Sequence, residues 1–324
     1  MESASTNTDP QIKSTSSTPA SVPARKIQKP SLNVNRFLLI SFAVFALFSI
    51  IGGSLVSLRI NGVGSAFLLI GVIFAAFGPV PAYWHQKGRI DRRDASLTII
   101  WCFVTWFFIP IPFLVGARLN LPLHDNLFAL IDRSLGFNQP PLVAWAMTHP
   151  LGSAINSTYN MLYPYLEIAI ILPSILGKRE STRFVLANTI ALAIGLVLFT
   201  LIPAVGPWTS EPVHVGPLQL SIQKQIFELR GPNPYTHELL KQGAGIVAFP
   251  SFHVIWAVLA ASALWGFRYL RIPMVVLTTM IILSTMTTGW HYLTDVLAGL
   301  IVVSVSLWAA SAIQNPKKVR QTKS

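Results

Sequence analysis

What most constrains this chain is a succession of long apolar runs with its charges confined to the gaps between them. The runs cover roughly 37–58, 62–83, 97–118, 155–177, 184–205, 252–267, 271–289 and 292–313. At about 1.5 Å of rise per residue, each is near the length that a helix needs to cross about 30 Å of hydrocarbon. Inside such a layer every backbone N–H and C=O has to be bonded within its own segment, so the runs should be helices. The expected fold is all-α, a polytopic membrane helical bundle with about eight transmembrane helices. Composition agrees: 11% of the 324 residues are charged, against about a quarter in soluble domains. Prolines and glycines within the runs, such as Gly78-Pro79, Pro110, Pro112, Pro164 and Pro173, predict kinks that neighbouring helices can satisfy.

The gaps carry orientation. Eighteen of the 24 Lys and Arg residues lie in the first tail, after runs two, four and six, and at the end of the chain. The opposite gaps hold the other six: Arg59, Arg118, Arg133, Lys224, Arg230 and Lys241. The positive-inside rule then puts both termini in the cytoplasm. A net charge of +12 spread in this way reports membrane orientation and excludes a nucleic-acid surface, which would interleave the charges with exposed aromatics. Residues 1–36, rich in Ser, Thr, Pro and Lys, cannot bury a core and should form a disordered cytoplasmic tail. The first run is too long for a signal-peptide core and reads as a membrane-spanning anchor. One cysteine, Cys102, excludes an intrachain disulfide.

Chemistry concentrates between Phe249 and Gly299. This stretch opens with Phe249-Pro250-Ser251-Phe252-His253 and closes with Gly289-Trp290-His291-Tyr292-Leu293-Thr294-Asp295. Two apolar runs separated by Arg268-Tyr269-Leu270-Arg271 lie between, so the chain should cross, turn and return, leaving both histidines on one membrane face. By the charge count that face is outward, periplasmic or lumenal. Asp295 follows His291 by four residues, a spacing that lets the carboxylate share a helix face with the imidazole and hold it. Two imidazoles, one of them oriented, make a general acid and nucleophile pair, provided they approach within about 10 Å, so that both can reach one reacting centre.

On these residues the chain resembles the type 2 phosphatidic acid phosphatase superfamily, whose members pair a Pro-Ser-Gly-His motif with a Ser-Arg-x5-His-x3-Asp motif. Pro250-Ser251-Phe252-His253 and Ser284-Thr285-x5-His291-x3-Asp295 fit both spacings. The motif glycine is Phe252, the phosphate-binding arginine is Thr285, and the superfamily's Lys-x6-Arg-Pro motif is absent; Lys224 to Arg230-Gly231-Pro232 is one residue short. The branch similar to inositol phosphorylceramide synthases lacks the same features and matches better. The block Leu201-Ile202-Pro203-Ala204-Val205-Gly206-Pro207-Trp208 is similar to one that precedes the catalytic loop there.

The resemblance implies 37–96 as two additional N-terminal transmembrane helices, 97–313 as a six-helix phosphatidic-acid-phosphatase-like catalytic core, and 314–324 as a basic cytoplasmic tail. It also implies two-step displacement at phosphorus. His291 attacks and forms a phosphohistidine, Asp295 holds its other ring nitrogen, and His253 protonates the leaving oxygen and then activates the acceptor. Ser251 either donates to a phosphate oxygen or caps its helix. The missing family cations need substitutes, and Arg230 and Lys241 are the first candidates by sequence, ahead of Lys224 and Arg133. The partners are membrane lipids, a phospholipid donor with a lipid hydroxyl as acceptor, or water in a lipid phosphate phosphatase. A proton-coupled membrane transporter, with His253, His291, Asp295 and Glu167 as relay, is the alternative from another class. No cofactor is expected and no metal: His124, His149, His214 and His237 have no ligand spacing.

The segment from Asn120 to Leu151 mixes charges with apolar residues at helical spacing and should form one or two helices in the outer interface. The outer loop, about Gly206 to Phe249, is expected to be irregular.

Overall fold

The computed structural model describes residues 32–56, 79–89, 92–93, 96–102, 110–176, 179–232 and 247–314, and all the regular elements among them are helical. In chain order these are α1 (Leu32–Leu55), α2 (Pro79–Gln86), α3 (Pro110–Arg118), α4 (Asp125–Ser134), α5 (Gln139–Thr148), α6 (Pro150–Ser157), a 3-10 turn (Tyr159–Met161), α7 (Leu162–Ile175), α8 (Arg179–Leu201), α9 (Pro217–Arg230), α10 (Phe252–Leu264), α11 (Arg271–Thr287) and α12 (Leu293–Gln314). Among the described residues four helical stretches are long and apolar enough to cross a membrane: Phe37–Leu55, Glu180–Leu201, Arg268–Thr287 and Leu293–Gln314. Most of run two, the middle of run three, the first 31 residues and the last ten lie outside the described residues.

The bundle is built around α10, which packs on α7, α8, α11 and α12. Apolar residues occupy nearly every position of α10, and Val254, Ile255, Ala257, Leu259 and Ala260 have no exposed surface. A helix that is apolar all round belongs at the centre of an assembly. With 13 residues it is shorter than the run 252–267 suggested. Ser251 caps its start, and its end is closed at Trp265, whose carbonyl accepts from Arg271 Nε at 3.0 Å. Because other helices surround α10, its length need not match the hydrocarbon thickness.

Two further differences from the sequence reading have local causes. Run four is broken: the hydroxyls of Ser157 and Thr158 turn back to the carbonyls of Ala154 and Ile155. Pro164, with no N–H to give Asn160, sits in the first turn of α7, where none is needed. Run five ends at Leu201, since Pro203 disfavours a helical conformation at Ile202.

Outside the bundle, the segment from Asn120 to Leu151 forms α4 and α5 and begins α6. The following loop is not irregular throughout, as expected, but contains the 14-residue α9. Pro217 stands at its first position, and the Gln219 side chain folds back to accept from Gly216 N–H at 2.7 Å. Gln219, Ile222, Ile226 and Leu229 form its buried stripe.

Candidate active site

The first motif is set by the entry into α10. Ser251 N–H donates to the backbone carbonyl of Asp295 at 3.1 Å, which ties this entry to the first turn of α12. So close an approach depends on Gly299, where a Cβ would stand 2.8 Å from the Ser251 carbonyl oxygen. Ser251 is fully buried and its hydroxyl accepts from Val254 N–H at 3.5 Å, so it caps the helix. Phe252, at the motif's glycine position, packs into the bundle on Phe113, Trp256 and Gly195. His253, one residue on, lies in the first turn of α10.

The second motif lies in the turn between α11 and α12. Gly289 has φ +75°, a left-handed conformation that a Cβ would strain, and the N–H groups of Trp290 and His291 both return to the Thr285 carbonyl at 3.1 Å. Thr285 supplies that carbonyl, while its buried hydroxyl bonds to Ile282. It places no charge where the motif has arginine.

Side chains from α4, α5 and α9 clamp this turn. Gln139 Nε2 of α5 donates to the carbonyls of His291 (2.9 Å) and Met286 (3.2 Å), and Gln219 Nε2 of α9 to that of Gly289 (3.3 Å). The Asp132 carboxylate of α4 accepts from Leu293 N–H (2.7 Å) and Thr294 N–H (2.8 Å), capping α12. Asp125, also on α4, accepts from the N–H groups of Val205 and Gly206 and from Tyr292 Oη, which is bonded in turn to Ser210 Oγ at 2.7 Å. The block Trp290-His291-Tyr292 is thus fixed from α4, α5, α9 and the loop after α8.

The two histidines meet, with ring centroids 5.8 Å apart. His291 Nδ1 lies 2.9 Å from the Ala248 carbonyl oxygen and 3.4 Å from Asp295 Oδ2. A carbonyl oxygen only accepts, so Nδ1 carries the proton and the Nε2 lone pair is free. The nearer partner is therefore a backbone carbonyl and not, as the spacing suggested, the aspartate. Asp295, fully buried, also accepts Tyr292 N–H on Oδ2 at 2.9 Å. Among the described residues no comparable bond holds His253 and its buried Nε2 has no partner; its ring stacks on Tyr159 with centroids 4.2 Å apart. Tyr159 also stacks on Trp290, which meets Trp208 edge-on.

Three of the four cations considered as replacements for the family set have other described partners. Arg230 donates to the Leu121 carbonyl, and no bond joins it to either histidine among the described residues. Partial burial lowers its guanidinium from the ordinary range, and the charge of Asp125 opposes that shift. Arg133 pairs with Glu211 at 3.2 Å and Lys224 with Glu228 at 3.8 Å. Lys241 lies outside the described residues. Among the described residues no group of three or more His, Cys, Asp or Glu could hold a metal ion.

Fold and site together define an all-helical membrane protein with a histidine pair set at the ends of its central helices. The chain belongs to the PAP2 superfamily: the family model described by that name matches residues 126–309, more than half its length. No curated protein and no solved structure matches it.

Proposed function

We propose that this protein is an integral membrane phosphotransferase that moves a phosphorylated headgroup from a phospholipid to a lipid hydroxyl, in the manner of inositol phosphorylceramide synthases. Membership of the superfamily supports a phosphatase- or phosphotransferase-type reaction on lipid phosphates. The observation that carries the reading is the histidine pair itself, 5.8 Å apart, with Nδ1 of one ring committed to a carbonyl.

His291 Nε2 attacks phosphorus, the bond to the diacylglycerol oxygen breaks, and that oxygen takes a proton from His253. The acceptor hydroxyl then gives its proton to His253 as its oxygen displaces the phosphohistidine nitrogen. Asp295 supports the imidazolium that develops. Ser251 keeps its hydroxyl proton for a phosphate oxygen, and Arg230 and Lys241 bring positive charge to the outer face. The apolar runs support eight spans, the superfamily match supports 97–313 as the catalytic core, and the charge pattern supports cytoplasmic termini and outward histidines. Their place at helix ends favours surface chemistry over the midplane site of a transporter.

The test is mass spectrometry of products from the purified protein and its His291→Ala variant, given phosphatidic acid or phosphatidylinositol with and without ceramide. A new phosphorylated lipid formed by wild type only when the acceptor is present is the expected result. Free phosphate or headgroup phosphate without acceptor would assign a hydrolase, and equal turnover by the two proteins would remove the phosphohistidine.

A further inference from the structure

Tyr159 has no part in the reaction above, yet its ring lies on His253. We propose that Tyr159 is the positioning residue that orients His253 toward the leaving oxygen, an inference that rests on the roles given to the two histidines.

The two imidazoles are held by different means. His291 is fixed at Nδ1 by the Ala248 carbonyl, whereas the described contacts of the His253 ring are aromatic: Tyr159 at 4.2 Å and 26°, and His291 at 5.8 Å and 59°. An imidazole can turn about its Cβ–Cγ bond, which tilts the ring and swings its nitrogens away from a fixed direction. A near-parallel aromatic face limits that rotation, and it favours the protonated ring through its quadrupole. Tyr159 is itself well placed to act as a fixed surface. It occupies the 3-10 turn between α6 and α7, where Met161 N–H and Thr158 N–H bond back to Thr158 and Ile155. The adjoining Asn156 accepts from Thr287 Oγ1 of α11 at 2.7 Å. Its second stacking partner, Trp290, is the chain neighbour of His291, at 6.0 Å and 18°. One tyrosine therefore ties the position of His253 to the residue beside the nucleophile.

A residue that aims the acid matters in proportion to how badly the leaving group needs a proton. Diacylglycerol leaves as a poor alkoxide, and p-nitrophenolate leaves unaided. The experiment compares Tyr159→Leu and Tyr159→Phe on matched pairs: phosphatidic acid against p-nitrophenyl phosphate, and phosphatidylinositol against the p-nitrophenyl ester of inositol phosphate, with ceramide present. General acid catalysis contributes about 10²- to 10⁴-fold. We therefore expect Tyr159→Leu to lose about 30-fold or more in kcat on the lipid, with KM and the nitrophenyl reaction within about threefold. Tyr159→Phe, which keeps the face, should restore the lipid rate. If the leucine variant does not fold, Tyr159→Met supplies the non-aromatic arm. Equal losses on both leaving groups, no loss on either, or a phenylalanine variant as poor as leucine would overturn the inference while His291→Ala stays dead. Equal turnover by wild type and His291→Ala would overturn the reaction and the inference together.

Discussion

At the scale of single residues, His291 depends less on its aspartate than the spacing of four suggests. Where a carboxylate alone selects the tautomer of a catalytic histidine, its amide costs about 10⁴-fold in kcat, because the wrong nitrogen keeps the proton. Here the Ala248 carbonyl is at 2.9 Å and the carboxylate at 3.4 Å, so Asp295→Asn leaves the tautomer in place and removes only charge support. Its expected cost on the wild-type lipid substrate is about 10- to 100-fold, well short of that value, and a loss equal to that of His291→Ala would show that the carbonyl does not suffice. His253, His291 and Asp295 were legible because two short motifs carry them. Ala248, Gln139, Gln219 and Tyr159 were not. Gln139, Gln219 and Tyr159 reach the site through space from other parts of the chain, and Ala248, next to the first motif, acts through a backbone carbonyl, which leaves no mark in a sequence. Arg230 illustrates the converse: nearness in sequence suggested a phosphate ligand, while its described bond straps the loop at Leu121.

Among elements, the separation of the two histidines is set by how closely the first turns of α10 and α12 approach. Gly299 permits it. A methyl group there would meet the Ser251 carbonyl oxygen at 2.8 Å and Val254 Cβ at 3.2 Å, both parts of the catalytic entry to α10. Overpacking of this kind costs about 1–3 kcal/mol, and the backbone that must yield carries His253. Gly299→Ala is therefore expected to lower both the melting temperature and the lipid activity. Gly53→Ala on α1, where among the described residues the added atom meets only Val115 Cγ2 at 3.9 Å, should change neither; thermal melts in detergent beside the activity assay compare the two. Continuous apolar runs revealed the long helices, but not where they stop. Their ends follow from Ser157, Thr158, Pro164 and Pro203, whose effect on the backbone outweighs continuous hydrophobicity. The signal for α9 was present in Gly216-Pro217 and in the stripe Ile222, Ile226 and Leu229, but the prolines on either side obscured it.

For the molecule as a whole, the cap of α4, α5 and α9 and the helix ends that bear the histidines form one side, joined by Asp132, Gln139 and Gln219. The turn between α10 and α11 carries Arg268 and Arg271 at the far end of both helices. If the positive-inside rule holds for this chain, the cap faces outward and that turn faces the cytoplasm. Two exposed positions separate these faces: Lys224 on α9, whose side chain is 77% exposed, and Tyr269 in the turn, 84% exposed. With Cys102, the chain's single cysteine, replaced by serine, Lys224→Cys should react with a membrane-impermeant maleimide in intact cells, and Tyr269→Cys only after permeabilisation. The reverse pattern would put the site on the cytoplasmic side and change the pool of lipids it can meet. Labelling of both positions in intact cells would mean that the chain does not hold one orientation, and the charge asymmetry would then need another explanation.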